Sequence, residues 1–129
     1  MRSSTDLTRV SNQLSYRSVP AKPDFAVAFN NRGLVRSAKG DLEGAITDYN
    51  EAIRLKPDYA DAFYNRGVAR RAKGDLEGAI KDYNEAIRLK PDDAVVLNNR
   101  GNARLAKGDS RGAAEDFRKA QHLKAVAGA

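Results

Sequence analysis

Apolar residues in this chain recur at spacings of three and four, in runs cut at fixed intervals by the same short polar strings. In the middle stretch, Ala60, Phe63, Tyr64 and Val68 form one such run, and Leu76, Ala79, Ile80, Tyr83 and Ile87 form a second. The pattern predicts a helix A over roughly Ala60–Lys73 and a helix B over roughly Asp75–Lys90. Gly74 can take the left-handed conformation that closes helix A. Asp75 follows as the N-cap of helix B, and Glu77 in its first turn faces the positive end of the dipole. Pro57 and Pro91 break the chain after a helix B, because proline cannot continue a helix and restricts the residue before it.

The same pattern starts at Pro23 and, with more drift, at Asp92. Three units of 34 residues result, 24–57, 58–91 and 92–125, and together they predict one domain over 23–125. Gly33, Gly67 and Gly101 fall inside helix A, where glycine costs about 1 kcal/mol relative to alanine. A close approach of helix B would explain them, with Ala45, Ala79 and Ala113 as the expected partners. Phe29, Phe63 and Leu97, with Tyr49, Tyr83 and Phe117, are expected as core wedges. Residues 1–22 read as a basic polar tail, flexible or holding a short helix on Leu7, Val10 and Leu14 that Pro20 and Pro23 would end. Residues 126–129 read as a C-terminal tail.

Composition narrows the function classes. The chain has 129 residues, no cysteine and one histidine, so disulfides and thiolate–metal sites are excluded. No apolar run approaches the roughly 18 residues of a membrane span, and the first 20 residues lack the apolar core of a secretory signal. With the missing cysteines, these features point to the cytoplasm. The net charge is +6. The first 22 residues carry Arg2, Arg9, Arg17 and Lys22 against Asp6, while the units themselves are close to balanced. A basic stripe on the folded part, the usual mark of a nucleic-acid binder, is not evident.

The spacing of Phe63, Arg66-Gly67, Arg70, Ala79, Tyr83 and Pro91 resembles the tetratricopeptide repeat: aromatic, Leu-Gly, Tyr, then Ala, Phe and Pro. The resemblance covers residues 24 to about 124. It implies an all-α protein, a right-handed α-α superhelix whose A helices line a concave groove that binds a peptide or a partner's helix. Two departures recur. Arginines Arg32, Arg66 and Arg100 replace the apolar residue before the glycine, and Arg36, Arg70 and Arg104 replace the tyrosine after it. A half-buried arginine needs a partner. Asp48, Asp82 and Asp116 on helix B supply one, so we expect the pairs Arg32–Asp48, Arg66–Asp82 and Arg100–Asp116.

The first two units agree at 27 of 34 positions. Such near-identity fits a recent duplication or a consensus-like array. Four of the seven differences, Val27/Asp61, Asn30/Tyr64, Leu34/Val68 and Ser37/Arg71, lie on one face of helix A. In the resembling family that face lines the groove. The candidate groove residues are then Val27, Asn30, Asn31, Leu34 and Ser37 in the first unit. The second contributes Asp61, Tyr64, Asn65, Val68 and Arg71, and the third Val95, Asn98, Asn99, Asn102 and Leu105. They mix amides, small apolar groups, one tyrosine and one pair of opposed charges, Asp61 and Arg71. The row Asn31, Asn65, Asn99 could hold a peptide backbone or bond neighbouring helices. Repeats that bind the acidic tails of heat-shock chaperones use a clamp whose positions match Asn30, Leu34, Asn65, Val95 and Asn99. Only Asn65 fits, which argues against that specificity.

The third unit replaces Leu76, Ile80 and Ile87 with Ser110, Ala114 and Gln121, and adds Arg111, Arg118 and Lys119. This reads as a partly polar end cap. No catalytic constellation is evident. His122 has no carboxylate or cysteine framework around it, and Lys-Gly-Asp is a helix–helix turn and not a phosphate loop. No metal or cofactor is expected. The sequence reads as a non-catalytic protein–protein interaction scaffold with a protein partner, a peptide or a helix. The alternatives are a structural array, natural or consensus-like, that stacks end to end, and more weakly a nucleic-acid binder through the basic tail and arginine rows.

Overall fold

The computed structural model describes residues 24–128, and the expectations for residues 1–22 lie outside them. Six helices follow one another: α1 Phe25–Ala38, α2 Leu42–Leu55, α3 Ala60–Ala72, α4 Leu76–Leu89, α5 Ala94–Lys107 and α6 Ser110–Gly128. There is no strand among the described residues. The chain is an all-α helical repeat solenoid in which α1, α3 and α5 are A helices and α2, α4 and α6 are B helices.

The punctuation read from the sequence sets the helix ends. Gly40, Gly74 and Gly108 hold φ of 86°, 89° and 96°, the left-handed region that only glycine enters freely. Directly after each turn an aspartate caps the B helix. Asp41 accepts from Gly44 N at 2.9 Å, Asp75 from Gly78 N at 2.9 Å and Asp109 from Gly112 N at 2.9 Å. The final helix departs from expectation. It has 19 residues against 14 for α2 and α4, and it runs through the segment 126–128 that the sequence suggested was a tail. The cause lies at position 125. Prolines end the two earlier B helices there, and Ala125 does not.

Within each unit the B helix drives an aromatic ring against the A helix. Tyr49 and Tyr83 are fully buried, as are Ala45 and Ala79. The glycine of helix A faces this ring first, and at Gly67 the expected alanine is close as well. A Cβ at Gly67 would lie 2.7 Å from Tyr83 Cε1 and 3.2 Å from the backbone oxygen of Ala79. Gly101 stands likewise against Phe117, at 2.6 Å. Of the expected wedges on helix A only Leu97 is fully buried, while Phe29 and Phe63 are half-buried.

Between units, Leu76, Ile80 and Ile87 of α4 cluster with Val96 and Ala103 of α5, and Ala69 of α3 packs on Ala45 and Tyr49 of α2. Successive A helices touch one another, α1 to α3 and α3 to α5, whereas successive B helices do not. The stack therefore curves with the A helices on its inner side.

Candidate functional site

The recurrent arginines of helix A are held by the recurrent aspartates of helix B. Arg66 grips Asp82 with two parallel bonds, Nε to Oδ2 at 3.0 Å and Nη2 to Oδ1 at 2.8 Å. Arg32 grips Asp48 and Arg100 grips Asp116 in the same way. The sequence did not reveal a second arm. Arg70 Nη1 reaches Asp82 Oδ2 at 2.9 Å, Arg104 reaches Asp116 at 2.9 Å and Arg36 reaches Asp48 at 3.1 Å. Each buried carboxylate thus has two guanidinium partners. The signal was present, since all three arginines lie four residues after the first set on the same face.

A third bond ties one unit to the next. Arg66 Nη1 donates to Asn50 Oδ1 of α2 at 2.8 Å, and Arg100 Nη1 to Asn84 Oδ1 of α4 at 3.0 Å. Both arginine rows are thus engaged by aspartate.

On the inner face, amides link neighbouring A helices. Asn65 donates to Asn30 Oδ1 at 2.9 Å, and Asn99 donates to the Tyr64 hydroxyl at 3.2 Å. Asn99 also donates to the Val95 carbonyl of its own helix, at 2.9 Å. Both main links join positions 35 apart, so one geometry recurs along the array. Of the two roles open to the asparagine row, Asn65 and Asn99 take the helix-bonding one. Asn31 is exposed. Asn30 is buried, so its side chain is not accessible on the inner face.

Other candidate residues remain accessible. Leu34, Val68, Val95 and Leu105 are exposed apolar side chains, between 37% and 54% accessible, and Asn102 is exposed beside them. Val27, Ser37, Tyr64, Arg71 and Asn98 are half-buried. The opposite charges of Asp61 and Arg71 are not in contact. Asp61 is exposed and has Lys90 Nζ 3.6 Å away. The two residues stand ten apart on one helix, about 15 Å along its axis. Arg71 makes no ion pair among the described residues.

Below Arg71 lies a feature the sequence reading missed. The Tyr83 hydroxyl is buried and has no hydrogen-bond partner among the described residues. Burial is the main cause that pushes it up to about 12, with Tyr64 adding to the rise and Arg71 opposing it. In the first unit Ser37 stands at the position of Arg71, and its hydroxyl moderates the rise that burial imposes on Tyr49. In the third unit the pair becomes Leu105 and Phe117, with no hydroxyl to satisfy. Only the middle unit keeps the tyrosine without a short polar neighbour.

Among the described residues no cluster of histidine, cysteine or carboxylate side chains is arranged to hold a metal, and no helix is long and apolar enough to cross a membrane.

The TPR repeat family matches residues 33–71 and 69–108, more than half of the chain. Among solved structures, MamA superposes with a TM-score of 0.78 at 27% identity, over 82% of this chain and 63% of the MamA chain. The second TPR of Spaghetti (RPAP3), bound to the HSP90 peptide SRMEEVD, superposes with a TM-score of 0.75 at 29% identity, over 77% of this chain and 92% of that one. The first TPR of Spaghetti, bound to the same peptide, is 22% identical with a TM-score of 0.76, which speaks to the fold alone. The chain spans less than two thirds of the MamA chain it resembles. No curated protein sequence matches.

Proposed function

Since this chain belongs to the tetratricopeptide-repeat family, we propose that it is a non-catalytic interaction scaffold whose inner A-helix face binds a peptide or a helix of a partner protein. The observation that carries the reading is the composition of that face. Leu34, Val68, Val95 and Leu105 keep apolar side chains in solvent on three successive A helices, beside an amide lattice that fixes their spacing. Exposed apolar side chains gathered on a concave polar frame are what a helix or extended peptide buries. A solved relative of the same fold is bound to the HSP90 peptide SRMEEVD, which supports the mode of binding. That peptide's specificity does not follow, because only Asn65 of the five matching clamp positions carries the expected residue. Arg71 instead places a positive charge, unpaired among the described residues, in the last turn of the middle A helix, so a ligand with a single carboxylate among apolar residues fits best.

End-to-end self-assembly is the competing reading. The arginines of the last helix oppose it, as developed below.

Selection from a displayed library of random peptides tests the groove, comparing the parent with a Leu34→Asp, Val68→Asp, Arg71→Glu variant. These side chains are exposed or half-buried, so the variant should keep its helical circular dichroism. The expected result is a family of apolar peptides with one acidic residue, enriched by the parent and lost by the folded variant. No enrichment, or the same enrichment by both, would overturn the reading.

A further inference from the structure

Inside the array each B helix offers two acceptors to the next A helix. Asn50 accepts from Arg66 at 2.8 Å, and Glu43 accepts from Lys73 Nζ at 3.2 Å. One unit on, Asn84 accepts from Arg100 at 3.0 Å and Glu77 from Lys107 at 2.9 Å. The donors are seven residues apart on the A helix, and the acceptors seven apart on the B helix. On α6 the two acceptor positions are occupied by Arg111 and Arg118. Both are exposed, and neither pairs with Glu115 or any other carboxylate among the described residues. Leu76, Ile80 and Ile87, which α4 packs toward α5, give way on α6 to Ser110, Ala114 and Gln121. The end face is therefore reversed in charge and hollowed.

We infer that this outer face of α6 is a second docking surface. Its partner is a helix of another protein that carries carboxylates at positions i and i+7 and bulky apolar side chains between them. The carboxylates answer Arg111 and Arg118, and the bulky groups fill the space that Ser110, Ala114 and Gln121 leave. A second copy of the array does not fit. Its first A helix would bring Lys39 and Arg32, the counterparts of Lys73 and Arg66, against Arg111 and Arg118, turning both attractive contacts into like-charge pairs. The two earlier B helices end before a proline and carry the next A helix on their outer face, whereas among the described residues no helix packs on this face of α6.

The test uses the full chain and a labelled, helix-stapled peptide with the sequence of Ala94–Lys107. In the probe, Arg100→Glu and Lys107→Glu supply the two carboxylates, and Val96→Leu and Ala103→Leu supply bulk. A control peptide keeps Arg100 and Lys107 with the same two leucines. Fluorescence anisotropy should show the acidic peptide bound at least about tenfold more tightly than the control, and more weakly as salt rises. An Arg111→Glu, Arg118→Glu variant should reverse the preference while keeping its circular dichroism. Equal binding of the two peptides, no binding, or a preference that survives the charge reversal would overturn the inference. The variant with the altered inner face should bind the acidic peptide like the parent, so failure of this surface and failure of the groove are told apart.

Discussion

The first and middle helix pairs are the same sequence at 27 of 34 positions, yet they are differently placed. Both lock an arginine onto a buried aspartate with equal geometry. In the middle pair the arginine is 16% exposed and has a third bond to Asn50, while Arg32 in the first pair is 54% exposed and lacks that bond. At one of the seven differing positions the contrast is steeper. Ala69 is fully buried against α2, whereas the matching Val35 is 54% exposed. The same string of residues thus carries different energy according to what stacks in front of it. A unit in the interior has two interfaces, and a unit at an end has one.

The widest separation should come from the buried carboxylates. Asp82→Ala leaves Arg66 and Arg70 facing each other without a counter-charge, and we expect a loss of about 3–5 kcal/mol in denaturant unfolding. Asp48→Ala should cost clearly less, because its arginines reach water. Equal losses would break the comparison. Next, Ala69→Val, which gives the middle pair the residue of the first, should cost about 1–3 kcal/mol by overpacking. The reciprocal Val35→Ala should stay within about 0.5 kcal/mol.

A smaller effect of opposite sign is expected at the unpartnered hydroxyl. Tyr83→Phe should raise stability by about 1 kcal/mol, since it removes a buried polar group that has no bond. Tyr49→Phe should not. The pH profile sharpens this. With the folded hydroxyl raised to about 12, the unfolded chain gives up this proton first. The linked loss of stability is absent below about pH 10, the unfolded value, and grows as pH rises toward about 12. The parent should therefore lose stability over that window, and Tyr83→Phe should lose less. The smallest expected change is Asn50→Ala, about 0.5 kcal/mol, felt by the middle pair through Arg66 alone.

Much of this was legible in the chain. A 34-residue period with glycine, aspartate and proline at fixed places dictates where helices start and stop. A charge that recurs at a half-buried position, with its opposite always 16 residues on, announces a pair. What stayed hidden depends on the third dimension. Gly67 was matched to Ala79 because both are small, but the ring of Tyr83 comes first. The asparagine row could serve ligand or neighbour, and only the 35-residue offset between Asn65 and Asn30 shows which contact each amide makes. For Tyr83 the clue was faint: serine, arginine and leucine at one position change with tyrosine, tyrosine and phenylalanine at another.

The contacts between units are translational copies of one another, and this makes length a free variable. The arginine–asparagine and lysine–glutamate bonds that cross from one unit to the next start and end on residues that recur after 34. A further copy of 58–91 spliced in after Pro91 would meet Asn84 and Glu77 with its own arginine and lysine, and would offer the same acceptors onward to α5. Nothing else in the molecule would have to be redesigned. The inner face would gain another rung of tyrosine, valine and arginine, and α6 with its two exposed arginines would keep the same neighbours.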